Sequence, residues 1–113
     1  MIQVIAQTLI PFFIGSVPFA VIVSKRYGVV IQKFGSGNPG FANVARALGP
    51  RKAIPVLFGD ISKGLVGGYV ALLLGATWWV AILSPILGHC FSPWLRFRGG
   101  KGVATFLGVS FVV

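Results

Sequence analysis

Two glycine-rich stretches carry the residues that could do chemistry in this chain. The first is Gly35-Ser36-Gly37-Asn38-Pro39-Gly40, followed by Phe41 to Leu48 and ended by Gly49-Pro50. Its glycines allow positive φ angles and let a ligand approach bare backbone N–H groups. The eight residues after it read as a short helix, and a glycine turn opening on a helix N-terminus is an anion site. Asn43 and Arg46 are i,i+3 neighbours on that helix, so Ser36, Asn38, Asn43 and Arg46 could converge on one phosphate. The second stretch, Gly99-Gly100-Lys101-Gly102, precedes an apolar run from Val103 and repeats the logic, with Lys101 as a point charge. Plain turn formation is the competing explanation for the first loop. Anchoring to anionic lipid heads is the competing explanation for the second, and it suits Arg96 and Arg98 best.

Several chemistries are excluded by what is missing. Lys101 is followed by Gly102 rather than Ser or Thr, so the second loop is not a nucleotide P-loop. Asp60 is the single acid, too few to hold magnesium. One histidine (His89), one acid and one cysteine (Cys90) make no metal centre and no internal disulfide. No bound metal is expected. Asp60 and Lys63 stand i,i+3 inside an apolar run, where an unpaired charge costs roughly 2.5–3.5 kcal/mol at mid-membrane. They can pair as a structural ion pair, or Lys63 can add positive charge to a phosphate site. His89 suits helix packing or loop orientation, with a catalytic base as the sharper alternative. No Ser-His-Asp or Cys-His arrangement is evident.

The elements that must position these residues follow from composition. The 113 residues are 56% hydrophobic, with mean hydropathy +0.92, and only 10% are charged. A soluble domain carries about 25% charged residues and cannot hide this much apolar surface in so short a chain. Ten Lys and Arg against one acid give a net charge of +9. Nucleic-acid binding would explain that charge but not the apolar bulk. The expectation is an all-α, polytopic transmembrane protein forming a single membrane domain over 1–113. Spans are expected at 2–24, 53–76 and 77–95, with an incomplete fourth at 103–113 and basic loops at 25–52 and 96–102. The positive-inside rule places both loops in the cytoplasm and the N-terminus outside. Trp78 and Trp79 fall at the outer turn, where interfacial indoles belong. Eleven residues make about half a span, so a longer natural protein, a homodimer or a partner chain is expected to complete the fold.

Taken together, the motifs resemble one family. Gly-Ser-Gly-Asn-Pro-Gly-Phe-Ala-Asn-Val-Ala-Arg at 35–46 is similar to the first signature of the PlsY-type acyl-phosphate:glycerol-3-phosphate acyltransferases. Phe-Gly-Asp-Ile-Ser-Lys-Gly at 58–64 resembles that family's Asp-x-x-Lys-Gly. Gly-His-Cys-Phe-Ser-Pro at 88–93 with Phe-Arg-Gly-Gly-Lys-Gly-Val-Ala-Thr at 97–105 resembles its second signature. The resemblance implies a bacterial inner-membrane enzyme that moves a fatty acyl group from acyl phosphate to glycerol 3-phosphate, giving lysophosphatidic acid and phosphate without a cofactor. It implies catalytic roles for Ser36, Asn38 and Arg46, and substrate binding by Gly35, Gly37, Gly40, Asn43, Lys63, Gly99, Gly100, Lys101 and Gly102. Asp60 and His89 are left structural or unassigned.

Three departures stand out. Phe41 and Ala42 replace the family's more frequent Ala and Thr, and Pro39 replaces a frequent Ile. A third family signature, with His and Asn residues, has no counterpart among these 113 residues, so the chain alone is expected to be inactive. A non-enzymatic cationic membrane subunit and an anion or phosphate transporter are the alternative functions.

Overall fold

The computed structural model describes residues 1–113. It contains six α-helices and no strand: α1 (Ile2–Gly15), α2 (Phe19–Arg26), α3 (Phe41–Leu48), α4 (Pro50–Leu73), α5 (Trp78–Cys90) and α6 (Val103–Ser110). Short 3₁₀ turns cover 31–33 and 93–95. Helix α4 is central, and every other helix packs against it.

Burial along α4 explains that position. Its buried residues are Ala53, Val56, Asp60, Lys63, Gly64, Gly67, Gly68 and Ala71, a stripe at i,i+3/i+4 spacing. The large apolar side chains Phe58, Leu65, Val66, Tyr69 and Leu73 face outward. A water-soluble helix sorts its residues the other way. Small and polar residues inside with bulky apolar residues outside is the sorting of a helix in lipid, where close backbone approach drives association.

The glycines show how close that approach is. A Cβ at Gly64 would strike the Thr105 carbonyl of α6, and one at Gly108 of α6 would strike the Ile61 carbonyl of α4. Gly15 of α1 and Gly88 of α5 abut the backbones of Pro85 and Phe12 in the same way.

Boundaries differ from the hydropathy reading in three places. The first apolar run, 2–24, is broken at 16–18 into α1 and α2, although 2–26 together are long and apolar enough to cross a membrane. Pro11, also inside the run, leaves α1 unbroken. Helix α4 begins at Pro50, so Arg51 and Lys52 belong to the helix and not to the loop at 25–52. Proline at the first helical position costs no hydrogen bond, because that N–H has no partner in any helix. Helix α5 ends at Cys90, not Leu95, because Pro93 cannot continue it and Ser92 is drawn elsewhere. Its 13 residues cover about 20 Å, short of a hydrocarbon core of about 30 Å.

The two ends of the molecule are differently built. At one end Gln3 and Gln7 donate from Nε2 to the Leu74 carbonyl, at 3.3 and 2.9 Å, closing the turn between α4 and α5. Trp78 and Trp79 stack there at 3.9 Å. Both glycine loops lie at the opposite end of α4.

Candidate functional site

The first glycine loop is shaped from within by Asn43. This residue is 1% exposed. Its Nδ2 donates to the carbonyls of Ile31 (3.2 Å) and Phe34 (2.8 Å), and its Oδ1 accepts from the Ser36 N–H (3.3 Å). Its amide is thereby occupied by the loop's own backbone, and Asn43 borders neither cavity at this end. The structure does not bring Asn43 and Arg46 together at either cavity. Arg46 is exposed on α3 and borders neither cavity. The Asn38 N–H donates to Ser36 Oγ at 3.3 Å, which fixes the turn over Gly37, itself at φ +75°.

The second loop is held from below. Ser92 Oγ donates to the Ser16 carbonyl (2.6 Å), and Trp94 Nε1 donates to Ser16 Oγ (3.1 Å). Arg96 and Phe97 both adopt left-handed backbone, φ 54° and 64°, a conformation that disfavours side chains. The N–H groups of Phe97 and Gly99 donate to the Ser92 and Cys90 carbonyls, both at 2.8 Å, and hold that path. A Cβ at Gly99 would collide with the His89 carbonyl, so glycine is required there by contact.

The loops meet in two adjoining cavities. A polar groove of about 480 Å³ is bordered by Gln32, Ser36, Gly37, Asn38, Pro39, Leu95, Arg98, Gly99 and Lys101. An apolar cavity of about 380 Å³ lies beside it, between α3, α4 and α6. Phe41, Ala42, Leu57, Val103, Ala104 and Leu107 give it apolar walls, and Asn38, Asp60, His89 and Lys101 supply polar atoms. Asn38 and Lys101 border both spaces. The first residues of α3 (Phe41, Ala42) and of α6 (Val103, Ala104) both face the apolar cavity. The leading N–H groups of each helix have no intrahelical acceptor, so two positive helix ends meet there.

Of the residues singled out in the sequence, Ser36, Gly37, Asn38, Gly40, Gly99, Lys101, Gly102, Asp60 and His89 border these cavities. Gly100 lies against His89 and the Pro39 carbonyl, where the two loops touch. Gly35, φ +52°, turns the chain beside Asn43, and its conformation shapes the loop. Lys63 is buried beneath them. Its Nζ pairs with Asp60 Oδ1 at 3.0 Å and donates to the Val17 carbonyl at 2.8 Å. Sequence reasoning missed Gln32, Ser16, Ser92 and Trp94, and it gave Arg98 to lipid although Arg98 borders the groove. Ser16 and Ser92 gave no periodic signal. Pro18 was the available hint that carbonyls near residue 16 would need partners from elsewhere.

The comparisons agree on one family. Residues 5–113 match the family model described as glycerol-3-phosphate acyltransferase. A glycerol-3-phosphate acyltransferase of Rubrobacter xylanophilus is 47% identical over 105 residues, covering 90% of this chain and 53% of that protein. One of Thermus thermophilus is 48% identical over 103 residues, covering 88% and 52%. The crystal structure of PlsY, an integral membrane glycerol 3-phosphate acyltransferase in its glycerol 3-phosphate form, superposes with TM-score 0.85 at 38% identity. It covers 95% of this chain and 56% of that one. Its lysophosphatidic acid form gives 0.81. The chain thus spans about half the length of the curated relatives it matches. With inward glycines, outward bulky side chains and these relatives, it is a helical membrane protein that belongs to the glycerol-3-phosphate acyltransferase family.

Proposed function

We propose that this chain carries the phosphate-gripping half of an acyltransferase that moves a fatty acyl group from acyl phosphate to glycerol 3-phosphate. The observation that carries it is the meeting of two helix N-termini and two glycine loops around shared walls, with Asn38 and Lys101 between them. Both substrates in this reaction bear phosphate. The polar groove beside Gly99 and Lys101 suits glycerol 3-phosphate. The apolar cavity, with two positive helix ends at its polar rim, suits the acyl phosphate. Ser36 and Asn38 would orient the reacting groups between them, and Arg46 would join only by moving inward from the exposed face of α3.

Holding both phosphates in one place supplies proximity, worth up to about 7–11 kcal/mol in well-oriented cases. Donor N–H groups and Lys101 would stabilise negative charge developing on the transferred acyl group. The glycerol hydroxyl attacks directly, its oxygen–carbonyl bond forming as the acyl–phosphate bond breaks. The departing phosphate takes the hydroxyl proton. The 113 residues alone hold substrates without turning them over, since the third signature is absent among them. In the membrane, the reading places residues 2–26 and α4 as crossings; α5 completes a crossing only together with the segment that follows it to residue 95, and α6 begins another. The basic loops face the cytoplasm of a bacterial inner membrane and the N-terminus faces outward.

The test is binding and topology together. The purified chain in detergent should bind radiolabelled glycerol 3-phosphate, and single cysteines placed at the exposed positions of Ser36 and Arg98, with Cys90 replaced by serine, should label from the same side of the membrane. Labelling from opposite sides would remove the shared site.

A further inference from the structure

Beneath the loops lies a buried polar cluster that the proposed chemistry does not use. His89 is 8% exposed and reaches the cavity beside Lys101 and Gly102. Its Nδ1 faces Asp60 Oδ1 at 3.8 Å, and Nδ1 has no hydrogen-bond partner. That separation is too long for a hydrogen bond. The other ring nitrogen, Nε2, lies under the second loop: a Cβ at Gly100 would stand 2.5 Å from it. The His89 backbone carbonyl lies against Gly99. Asp60 is tied to Lys63, and Lys63 to the Val17 carbonyl at the break between α1 and α2. One chain of contacts therefore runs from the broken helix to Gly99 and Gly100.

We propose that His89, backed by Asp60 and Lys63, is a positioning residue that sets Gly99, Gly100 and Lys101 for a phosphate ester; this rests on the function proposed above. Buried polar atoms are rarely left unpaired, so an open one beside the second loop calls for a partner. A phosphate ester seated on the loop draws the ring toward Asp60, so that Nδ1–H donates to the carboxylate. Asp60 thereby selects the Nδ1–H tautomer and leaves Nε2 without a proton, facing Gly100. No bond is made or broken by His89.

His89 is the only histidine, so one imidazole reports the whole arrangement. In the 113-residue chain labelled with ¹⁵N-histidine, held in detergent micelles and saturated with glycerol 3-phosphate, the ring proton should reside on Nδ1. Saturating glycerol 3-phosphate should shift both ring nitrogens. His89→Asn, which keeps an N–H near the Nδ1 position, should bind glycerol 3-phosphate close to wild type. His89→Leu should weaken binding by about tenfold or more, the scale on which outer-shell partners act in metal sites. Lys101→Ala tests the site itself: if it binds like wild type, the phosphate site is misplaced. If Lys101→Ala weakens binding but folded His89→Leu does not, the site stands and the positioning role falls. Should His89→Leu fail to fold, the wild-type spectrum decides. A proton on Nε2 in the ligand-bound chain, or an imidazole unmoved by saturating ligand, overturns the proposal.

Discussion

Replacing Lys63 by methionine removes one ammonium and strands the Asp60 carboxylate. Lys63 and Asp60 side chains are each 4% exposed, and the ammonium lies 3.0 Å from the carboxylate and 2.8 Å from the Val17 carbonyl. Breaking a buried pair by removing one partner costs about 3–5 kcal/mol. The stranded carboxylate can instead take up a proton. At pH 7 that costs about 4 kcal/mol for a carboxyl of ordinary pKa near 3.9, which caps the charge penalty. The Val17 carbonyl keeps the Phe19 N–H at 3.1 Å and adds little, since polar contacts between membrane helices average about 0.6 kcal/mol. Lys63→Met should therefore lose about 3–4 kcal/mol, more than a hundredfold in the folding equilibrium. Reversible denaturation in mixed micelles measures this. Adding Asp60→Asn removes the stranded charge and should recover at least half of the loss. A single variant as stable as wild type would refute the claim that the pair holds α4 to the broken helix. A double variant no better than the single would show that packing, not charge, sets the cost.

Three further outcomes follow from the packing and the loops. Gly64→Ala presses a methyl group onto the Thr105 carbonyl of α6, backbone against backbone, and should destabilise the chain by about 1–3 kcal/mol in the same assay. Asn43→Ala removes the side-chain donor from the Ile31 and Phe34 carbonyls, which keep the Phe34 and Gly37 N–H groups, and leaves the Ser36 N–H without its acceptor. Hydrogen exchange at Ser36 should accelerate by one to two decades, about 1–3 kcal/mol of local opening, while amides in α4 stay protected. In a catalytically competent protein carrying this segment, Lys101→Ala should raise KM for glycerol 3-phosphate by about tenfold or more, a lost charged hydrogen bond, and leave the acyl phosphate KM less changed. An unchanged KM would take Lys101 out of the acceptor site.

How far the sequence disclosed this arrangement depends on the range of the interactions. Helix α3 was legible because its limits are local: a glycine turn before it and Gly49-Pro50 after it. The second loop was legible for the same reason, through consecutive glycines and Lys101. The membrane class was legible from hydropathy. The start of α4 was misjudged because hydropathy locates the apolar segment, whereas Pro50 begins the helix three residues earlier. Asp60 therefore lies about 15 Å along α4, near its middle. The loop contacts of Asn43 were not legible, because the carbonyls it serves lie 9 and 12 residues upstream.

The break at 16–18 was the least legible element, and it organises the most. Pro11 and Pro18 look equivalent in the sequence, yet α1 continues through the first and stops before the second. The difference lies in partners. In the hydrocarbon region a freed carbonyl must find a donor within the protein, so a helix opens only where donors wait. The Ser16 carbonyl receives Ser92 Oγ from 76 residues away, and the Val17 carbonyl receives Lys63 Nζ from 46 away. Those two donors belong to the second glycine loop and to the buried ion pair. The broken helix is thus the common floor of the site: the same unpaired carbonyls that cost α1 its continuity fix Ser92 under Gly99 and Lys63 under Asp60. On this account Ser92→Ala should loosen the second loop while leaving the first intact. Faster exchange at Phe97 and Gly99 with no change at Ser36 would bear it out. Equal loosening of both loops would mean that the floor acts through global stability instead.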